Sequence, residues 1–410
     1  MTSTLGIKKI QYPNGTNSIT IDSSGSADIT TANITTAAIT TANVTNATAT
    51  GTITTPSING TQIGGRRNIV INGAMQHWQR GTSFSVSDNI YTCDRWLTEF
   101  GGLGAFTLSR STDTPDEFGY SLKLDCTSAD ASPAAGDVFQ LFHRIEGQNL
   151  QQLKKGTASA EKVTLSFFVK SNKTGNMQVN LRDANSRIIG NTYTINSANT
   201  WERKTITFDG DTSGTIANDN TTELTIEFPI SSGSTYTSGA VPTAWEASSN
   251  ADRNAGSTIN LADNTSNEWY LTGVQLEVGA QATAFEHRSF GEELDLCERY
   301  FQQYGRSASA IGRLLGSGNG GDAMLSTFGP IKQMRASPTA NYFGGNSDGG
   351  NFNVYVHNTT TVNTAPSAYV TDGRQIFWNF SGNGSYPNSA YWIDMGNGSS
   401  QFGFTLSAEL

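Results

Sequence analysis

The side chains whose types could do chemistry here are acids and aromatics. Glycoside hydrolysis needs two carboxyl groups at a defined separation, and Asp209, Asp211, Glu277 and Glu286 are the candidates for such a pair. Their commoner role is at turns and strand ends, and that reading is preferred. Asp209-Gly210-Asp211 offers oxygen ligands for Ca²⁺, but the rest of a calcium-loop pattern is absent. His77, His143, His287 and His357 are scattered without metal-ligand spacing. No nucleophile elbow, phosphate loop or dinucleotide fingerprint occurs. No catalytic residue, metal or cofactor is therefore expected, and the chain reads as a non-enzyme.

The aromatics point to binding instead. Trp78, Trp96, Trp201, Trp245 and Trp269 could be platforms for sugar rings. Aromatics also dominate core packing, and packing is the preferred reading for each. Near the end of the chain, Tyr342, Tyr386, Tyr391 and Trp392 lie beside Gly/Asn-rich turns. Loops carry function, so these four are the candidate receptor-binding residues.

Composition narrows the class. Charged residues are 15%, well under the usual ~25%, yet aromatics reach 10%, enough for real cores. A net charge of −9 argues against nucleic acid as a partner, because neutralising phosphates needs a basic face. Cys93, Cys126 and Cys297 are odd in number and widely spaced, so buried thiols are expected rather than disulfides. No apolar run is long enough for a membrane helix. The first residues lack the pattern of a secretion signal. A β-rich surface protein of this kind is expected to be made in a host cytoplasm and released by lysis.

The elements that must position these residues begin with a repeat. Residues 27–46 run in five-residue units, and apolar residues recur at Ile29, Ile34, Ile39 and Val44, then at Ile53, Ile58 and Ile63. Five matches neither the helical nor the strand period. It fits a chain turning a corner every few residues, as in a β-helix or β-spiral. One apolar residue in five is too sparse for a core within one chain, so an intertwined homotrimer stem is preferred over a single-chain coil. Residues 1–26 hold a short strand at Ser18–Ile21 and read as an attachment segment, and the stem spans 27–65.

From 66 to 288 the sequence is a series of short strands. Asn68–Gly73, Phe106–Ser109, Leu122–Cys126, Val163–Val169, Met177–Leu181, Lys204–Phe208, Leu224–Phe228 and Trp269–Leu276 alternate or run apolar. Spaced by Gly/Asn/Asp/Ser turns, they read as a two-sheet sandwich or jelly roll. A connecting helix is expected over 289–305. Ser289 and Glu292 form a capping box, Leu294, Cys297, Phe301 and Tyr304 share a face, and Gly305 ends it. Residues 306–410 return to strands and read as a smaller C-terminal β-sandwich, the expected distal receptor-binding domain. The fold class is all-β with one short helix.

Three stretches resemble the tail-fibre and related appendage proteins of tailed bacteriophages. These are 68–84 with Cys93-Asp94-Arg95-Trp96, Thr200–Thr212, and 271–286 running into Cys297-Glu298-Arg299-Tyr300. Such domains look like galactose-binding jelly rolls, similar to some carbohydrate-binding modules. The resemblance covers about 68–304. It implies a virion tail appendage, a homotrimer, an N-terminus docked to a tail adaptor, nozzle or baseplate protein, and attachment to a host surface glycan or outer-membrane protein. The alternatives are a head fibre, capsid decoration or baseplate component without a receptor role. A glycan depolymerase is a lesser alternative, since such tailspikes carry a long β-helical catalytic body and none is visible in this sequence.

Overall fold

The computed structural model describes residues 66–305, 332–343 and 403–410 continuously and other parts of the chain as separate strands; side chains are described for 66–303, 332–339 and 405–410. The chain divides into two compact units, 1–55 and 56–410. In the first, Lys9–Gln11, Ser18–Ile21 and Ala27–Ile29 form a three-stranded antiparallel sheet. The expected strand at Ser18–Ile21 is present. Of the stem residues, Ile29 lies in the third of these strands and Ile58 in the hairpin strand Ser57–Ile58. Their side chains, and Ile34, Ile39, Val44, Ile53 and Ile63 altogether, lie outside the described residues.

The second unit is built on a jelly-roll sandwich, as expected. Its strands are β1 (Ser83–Ser85), β2 (Ile90–Tyr91), β3 (Trp96–Gly101), β4 (Ala105–Ser111), β5 (Ser121–Ser128), β6 (Val138–Glu146) and β7 (Val163–Ser171). They continue with β8 (Gly175–Asp183), β9 (Arg187–Ile195), β10 (Glu202–Phe208), β11 (Thr222–Ser232), β12 (Glu246–Ala247) and β13 (Glu268–Val278). One sheet has the order β10-β7-β13-β5-β4-β1 and the other β12-β9-β8-β11-β6-β3-β2. Successive side chains on a strand point to opposite faces. Leu122 and Leu124, Leu165 and Phe167, and Trp269 and Leu271 thus face inward from the first sheet. They join Phe139 and Leu141, Met177 and Val179, and Ile226 and Phe228 of the second in one core. Each such side chain contributes roughly 1.5–3 kcal/mol.

A bulge on β13 changes the phase of the alternation. The register with β7 shifts between Ser166 and Phe168, and the inward residues pass from Leu271 to Val274. Gly273 sits there at φ +62, with Phe118 Cζ 2.6 Å from where a Cβ would lie. Only glycine fits both the left-handed backbone and the close approach.

Asn68–Gly73, expected to be a strand, is irregular backbone. Side chains take most of its amides in place of a full ladder: Asn68 and Asn72 donate to Glu286 and Glu293, Val70 to Asn68 Oδ1 and Ile71 to His143 Nε2, while Ile69 donates to the Leu276 carbonyl. Asn68 Nδ2 donates to the Val274 carbonyl at 3.1 Å, and its Oδ1 accepts from the amides of Val70 and Leu276. Asn72 Nδ2 donates to the carbonyls of His77 and Asp94, and its Oδ1 accepts from the amides of Gln76 and His77. Trp96 Nε1 donates to the Asn72 carbonyl at 3.2 Å. The stretch at 68–84 with 93–96 is thus a packing knot.

Helix α1 is the single turn Ser234–Thr237, and α2 spans Phe290–Glu298. The capping box is formed, with Ser289 Oγ accepting from the Glu292 amide and Glu292 Oε2 from the Ser289 amide. The expected extent to 305 is corrected. The chain leaves the helix after Glu298 and becomes strand β14 (Phe301–Gly305). The buried helix positions are Glu293 and Cys297, while Leu294 is half-buried. Strand pairing from the far end of the chain overrides the local helical pattern.

The later strands are β15 (Arg313–Gly318), β16 (Ala323–Phe328), β17 (Thr339–Phe343), β18 (Phe352–Val356), β19 (Thr359–Thr364), β20 (Ser367–Thr371), β21 (Gln375–Ser381), β22 (Ala390–Asp394) and β23 (Gly403–Ser407). They make a three-stranded sheet, β14-β23-β17, and a seven-stranded one, β19-β18-β22-β15-β16-β21-β20. The end of the chain returns to the jelly roll. Glu409 pairs with Arg95 and Arg80, and the Leu410 carbonyl accepts from Tyr91 Oη and Arg144 Nη1, each at 2.6 Å. The Arg95 guanidinium lies 3.4 Å over the Tyr300 ring. No helix among the described residues is long and apolar enough to cross a membrane.

Candidate functional site

The outward face of the six-stranded sheet carries a cluster of charged and aromatic side chains, with Tyr270 and Lys170 buried and their carboxylate partners partly exposed. With Leu122 and Leu124 inward, Lys123 and Asp125 must point out from β5. With Trp269 and Leu271 inward, Glu268 and Tyr270 point out from β13, and Lys170 does so from β7. Register then aligns them. Tyr270 lies opposite Lys123 on one side and Lys170 on the other, and Asp125 lies opposite Glu268. Neighbouring strands are about 4.8 Å apart, so Lys170, Tyr270 and Lys123 form one row across three strands.

The contacts within the row are close. Lys170 Nζ stands 4.4 Å and Lys123 Nζ 5.6 Å from the Tyr270 ring centre. Lys123 Nζ bridges Asp125 Oδ1 at 2.8 Å and Glu268 Oε1 at 2.9 Å. Tyr270 Oη donates to Glu268 Oε2 at 2.8 Å. Trp201, just before β10, meets Tyr270 edge-on at 6.0 Å, and its Nε1 donates to Asp113 Oδ1 at 2.9 Å. Lys170 pairs with the second oxygen of Asp113. The Asp113 side chain is 45% exposed and that of Glu268 37%, so the row opens to solvent at both ends.

Proton affinities follow from these contacts. Burial and the neighbouring Glu268 raise the Asp125 carboxyl above its ordinary value, against the opposing Lys123. Burial acts the same way on Glu268, but hydrogen bonds from Lys123 and Tyr270 prevail and lower it. Burial and the Glu268 carboxylate push Tyr270 up to about 12. Burial would raise Asp113, but Lys170 and Trp201 outweigh it and its pKa is lowered. Two adjacent carboxyls with separated proton affinities are an acid–base pattern. Here Lys123 engages both. Tyr270 is only 6% exposed, so what the face presents to solvent is the partly exposed Trp201 ring with Asp113 and the Glu268 carboxylate beside it.

The acids singled out from the sequence serve the framework. Glu277 is buried and accepts from the Thr283 amide, Thr283 Oγ1 and Gln275 Nε2. Glu286 accepts from the amides of Arg67 and Asn68. Asp211 takes a two-point contact from Arg187, and Asp209 pairs with Lys162 at the surface. Asp209 and Asp211 border one small cavity with Trp245, whose Nε1 donates to the Asp209 carbonyl. Trp78, Trp96 and Trp269 are core residues, and Trp201 alone of the five belongs to the outer row. Tyr342, Tyr391 and Trp392 lie in β17 and β22, but their side chains, and Tyr386 altogether, are outside the described residues.

Burial lowers the pKa of His143 to about 3 and keeps it neutral beside Ile71, whose amide its Nε2 faces at 3.3 Å. His77 is buried against Phe290 with its pKa lowered by burial, His287 stacks on Phe118 and Phe285, and His357 lies outside the described residues. No group of three His, Cys, Asp or Glu side chains that could hold a metal occurs among the described residues. Cys93, Cys126 and Cys297 are free and buried, as expected. Sequence reasoning missed Lys123, Lys170, Tyr270, Asp113, Asp125 and Glu268. Their one signal was alternation, as in Leu122-Lys123-Leu124-Asp125, which marks outward positions without saying which strands are neighbours.

No protein-family model and no curated protein matches this chain. Among solved structures, the enzymatically active domain of tailspike protein 4 of bacteriophage CBA120 is similar at 12% identity and a TM-score of 0.28 over 52% of this chain; the match spans 21% of that chain. A putative sugar-binding protein from Bacteroides thetaiotaomicron gives 11% identity and 0.30, covering 52% of this chain and all of that one. A family 11 carbohydrate-binding module from Clostridium thermocellum, in complex with a mixed-linked tetrasaccharide, gives 13% identity and 0.26, covering 50% and 98%. At these scores the likeness adds no weight to a functional reading.

Proposed function

We propose that this chain is a glycan-binding attachment protein of a phage virion, a tail fibre that works by recognition and not by bond cleavage. The observation that carries the reading is the Lys170–Tyr270–Lys123 row with Trp201 and its flanking carboxylates. Sugar rings present apolar C–H faces and hydroxyl edges, and aromatic side chains with nearby charged donors and acceptors suit both. A shallow face that presents Trp201 but little of Tyr270 binds weakly, and three identical copies would strengthen attachment by avidity. The sparse apolar pentad of residues 27–63 supports a homotrimer as that multiplying device. The N-terminal segment would dock on a tail adaptor, nozzle or baseplate protein.

The test is a glycan array probed with the intact protein, followed by incubation with each captured glycan and an assay for reducing ends. Capture without new reducing ends is expected. New reducing ends would make the protein a depolymerase. An array with no captured glycan, together with antibody label on the virion head, would favour a head fibre or decoration protein.

A further inference from the structure

A second pocket lies away from the outer row and shares no residue with it. It measures about 320 Å³ and is lined by Arg66, Asn68, Ile69 and Ile71, by Gln148, Asn149 and Gln152, and by Arg288 and Leu296. That is at the lower end of the usual range for small-molecule sites, about 300–1,000 Å³. The 3₁₀ turns Gly147–Asn149 and Gln151–Leu153 form one wall and helix α2 another.

The polar groups on this wall are mixed in kind. The Arg288 side chain is only 7% exposed, and its Nε has no hydrogen-bond partner among the described residues. This Nε is sealed from solvent and does not meet a ligand in the open pocket, so the contacts there must come from the exposed carboxamides. Gln148 Nε2 donates to Glu146 and Gln152 Nε2 to the Asn149 carbonyl, which leaves the two side-chain carbonyl oxygens as acceptors. Asn149 adds a whole carboxamide, exposed to solvent. Carboxamide donors and acceptors therefore share the lining with the aliphatic Ile69 and Leu296.

Charge decides the ligand class. Arg66 already faces Glu292 at 3.9 Å, and Arg288 faces Glu293 at 3.2 Å and Glu286 at 3.7 Å. No guanidinium is left uncompensated to hold an anion. Hydroxyl groups both donate and accept, and this mixed set matches them. We infer that the Arg288 pocket is a separate subsite for one neutral sugar unit, held by the carboxamides of Gln148, Asn149 and Gln152.

The experiment is saturation-transfer NMR on the full chain with glucose, galactose and galacturonate. It is repeated on an Asn149→Ala/Gln152→Ala double variant and on Trp201→Ala. Both altered carboxamides are exposed, so folding should survive, and an unchanged melting curve checks this. The expected result is transfer to a neutral hexose at about 20 mM that falls about tenfold in the double variant and persists in Trp201→Ala. Transfer lost in Trp201→Ala but kept in the double variant would place the sugar on the outer row and overturn the inference. Transfer to galacturonate alone would overturn the neutral class. No transfer to any of the three would overturn the subsite itself, while leaving the glycan array free to support or reject the outer row.

Discussion

Two clusters of this molecule use the same residue types to opposite ends. In the outer row, Lys123, Lys170, Asp113, Asp125 and Glu268 meet Tyr270 and Trp201 on the outer sheet face, where Asp113 and Glu268 reach solvent but Tyr270 and Lys170 are buried. At the end of the chain, Arg95, Arg80, Asp94 and Glu409 meet Tyr300 and Phe301, with the Arg95 side chain 1% and that of Glu409 6% exposed. Both sets are paired, and both place cations over rings. The difference is how far the carboxylates reach solvent, since Asp113 and Glu268 are partly exposed and Asp94 and Glu409 are buried. Half-exposed pairs are screened and contribute little to stability, so they can be rearranged for a ligand. Buried pairs are costly to form, and removing one partner strands the other charge. The first cluster is suited to recognition and the second to holding the chain's end against the jelly roll.

The comparison breaks most visibly at Arg95. Arg95→Ala leaves Glu409 short of its closest partner and removes the guanidinium over Tyr300. Denaturant unfolding should show a loss of about 3–5 kcal/mol. A loss under 1 kcal/mol would put this cluster in the same class as the surface row.

Acid titration sharpens the same point. Burial raises Asp94 to about 6 from an ordinary 3.8, over the opposing effect of Arg80. Between those values the folded chain keeps a proton that the unfolded chain has released. The contribution of Asp94 is therefore fully present below about pH 4 and is lost as pH rises through 6, by about 3 kcal/mol. Melting curves of the wild type and Asp94→Asn across pH 4–7 should diverge as pH rises, with the variant flatter. Parallel curves would contradict the assigned burial.

Gly273 lies three residues beyond Tyr270 in β13, where the bulge shifts the register with β7 and resets which residues face the core. Gly273→Ala should cost roughly 1–3 kcal/mol through its left-handed backbone and the Phe118 contact. Unchanged stability would show that the bulge is not required.

The sequence made the framework legible wherever a strand could be recognised alone. Val163–Val169 and Trp269–Leu276 announce themselves by apolar content, and Ser289 with Glu292 marks the start of α2 correctly. The end of α2 was not legible. The partner of Phe301–Gly305 is Gly403–Ser407, about a hundred residues away. Asn68–Gly73 looked like a strand because Ile69, Val70 and Ile71 are β-branched, yet the side chains of Glu286, Glu293, His143 and Asn68 take most of the backbone amides there. The site was illegible for a related reason. Lys123 and Tyr270 meet only because β5 pairs with β13. Trp201 was visible by type, but nothing local separated it from the buried Trp96 and Trp269.

The smallest stability effects belong to the outer row. Lys170→Ala should change the unfolding free energy by only about 1 kcal/mol, because the Asp113 carboxylate it leaves behind is 45% exposed even though the Lys170 side chain itself is 11% exposed. A change above 3 kcal/mol would mean that the row is framework like the Arg95 cluster.

The central claim is that this row recognises glycan, and Trp201 tests it most directly. Calorimetric titration of a captured host glycan into wild type and Trp201→Ala should give at least a tenfold weaker Kd in the variant, about 1.4 kcal/mol. The melting temperatures of the two proteins should agree. Equal affinity in two equally folded proteins would contradict the account.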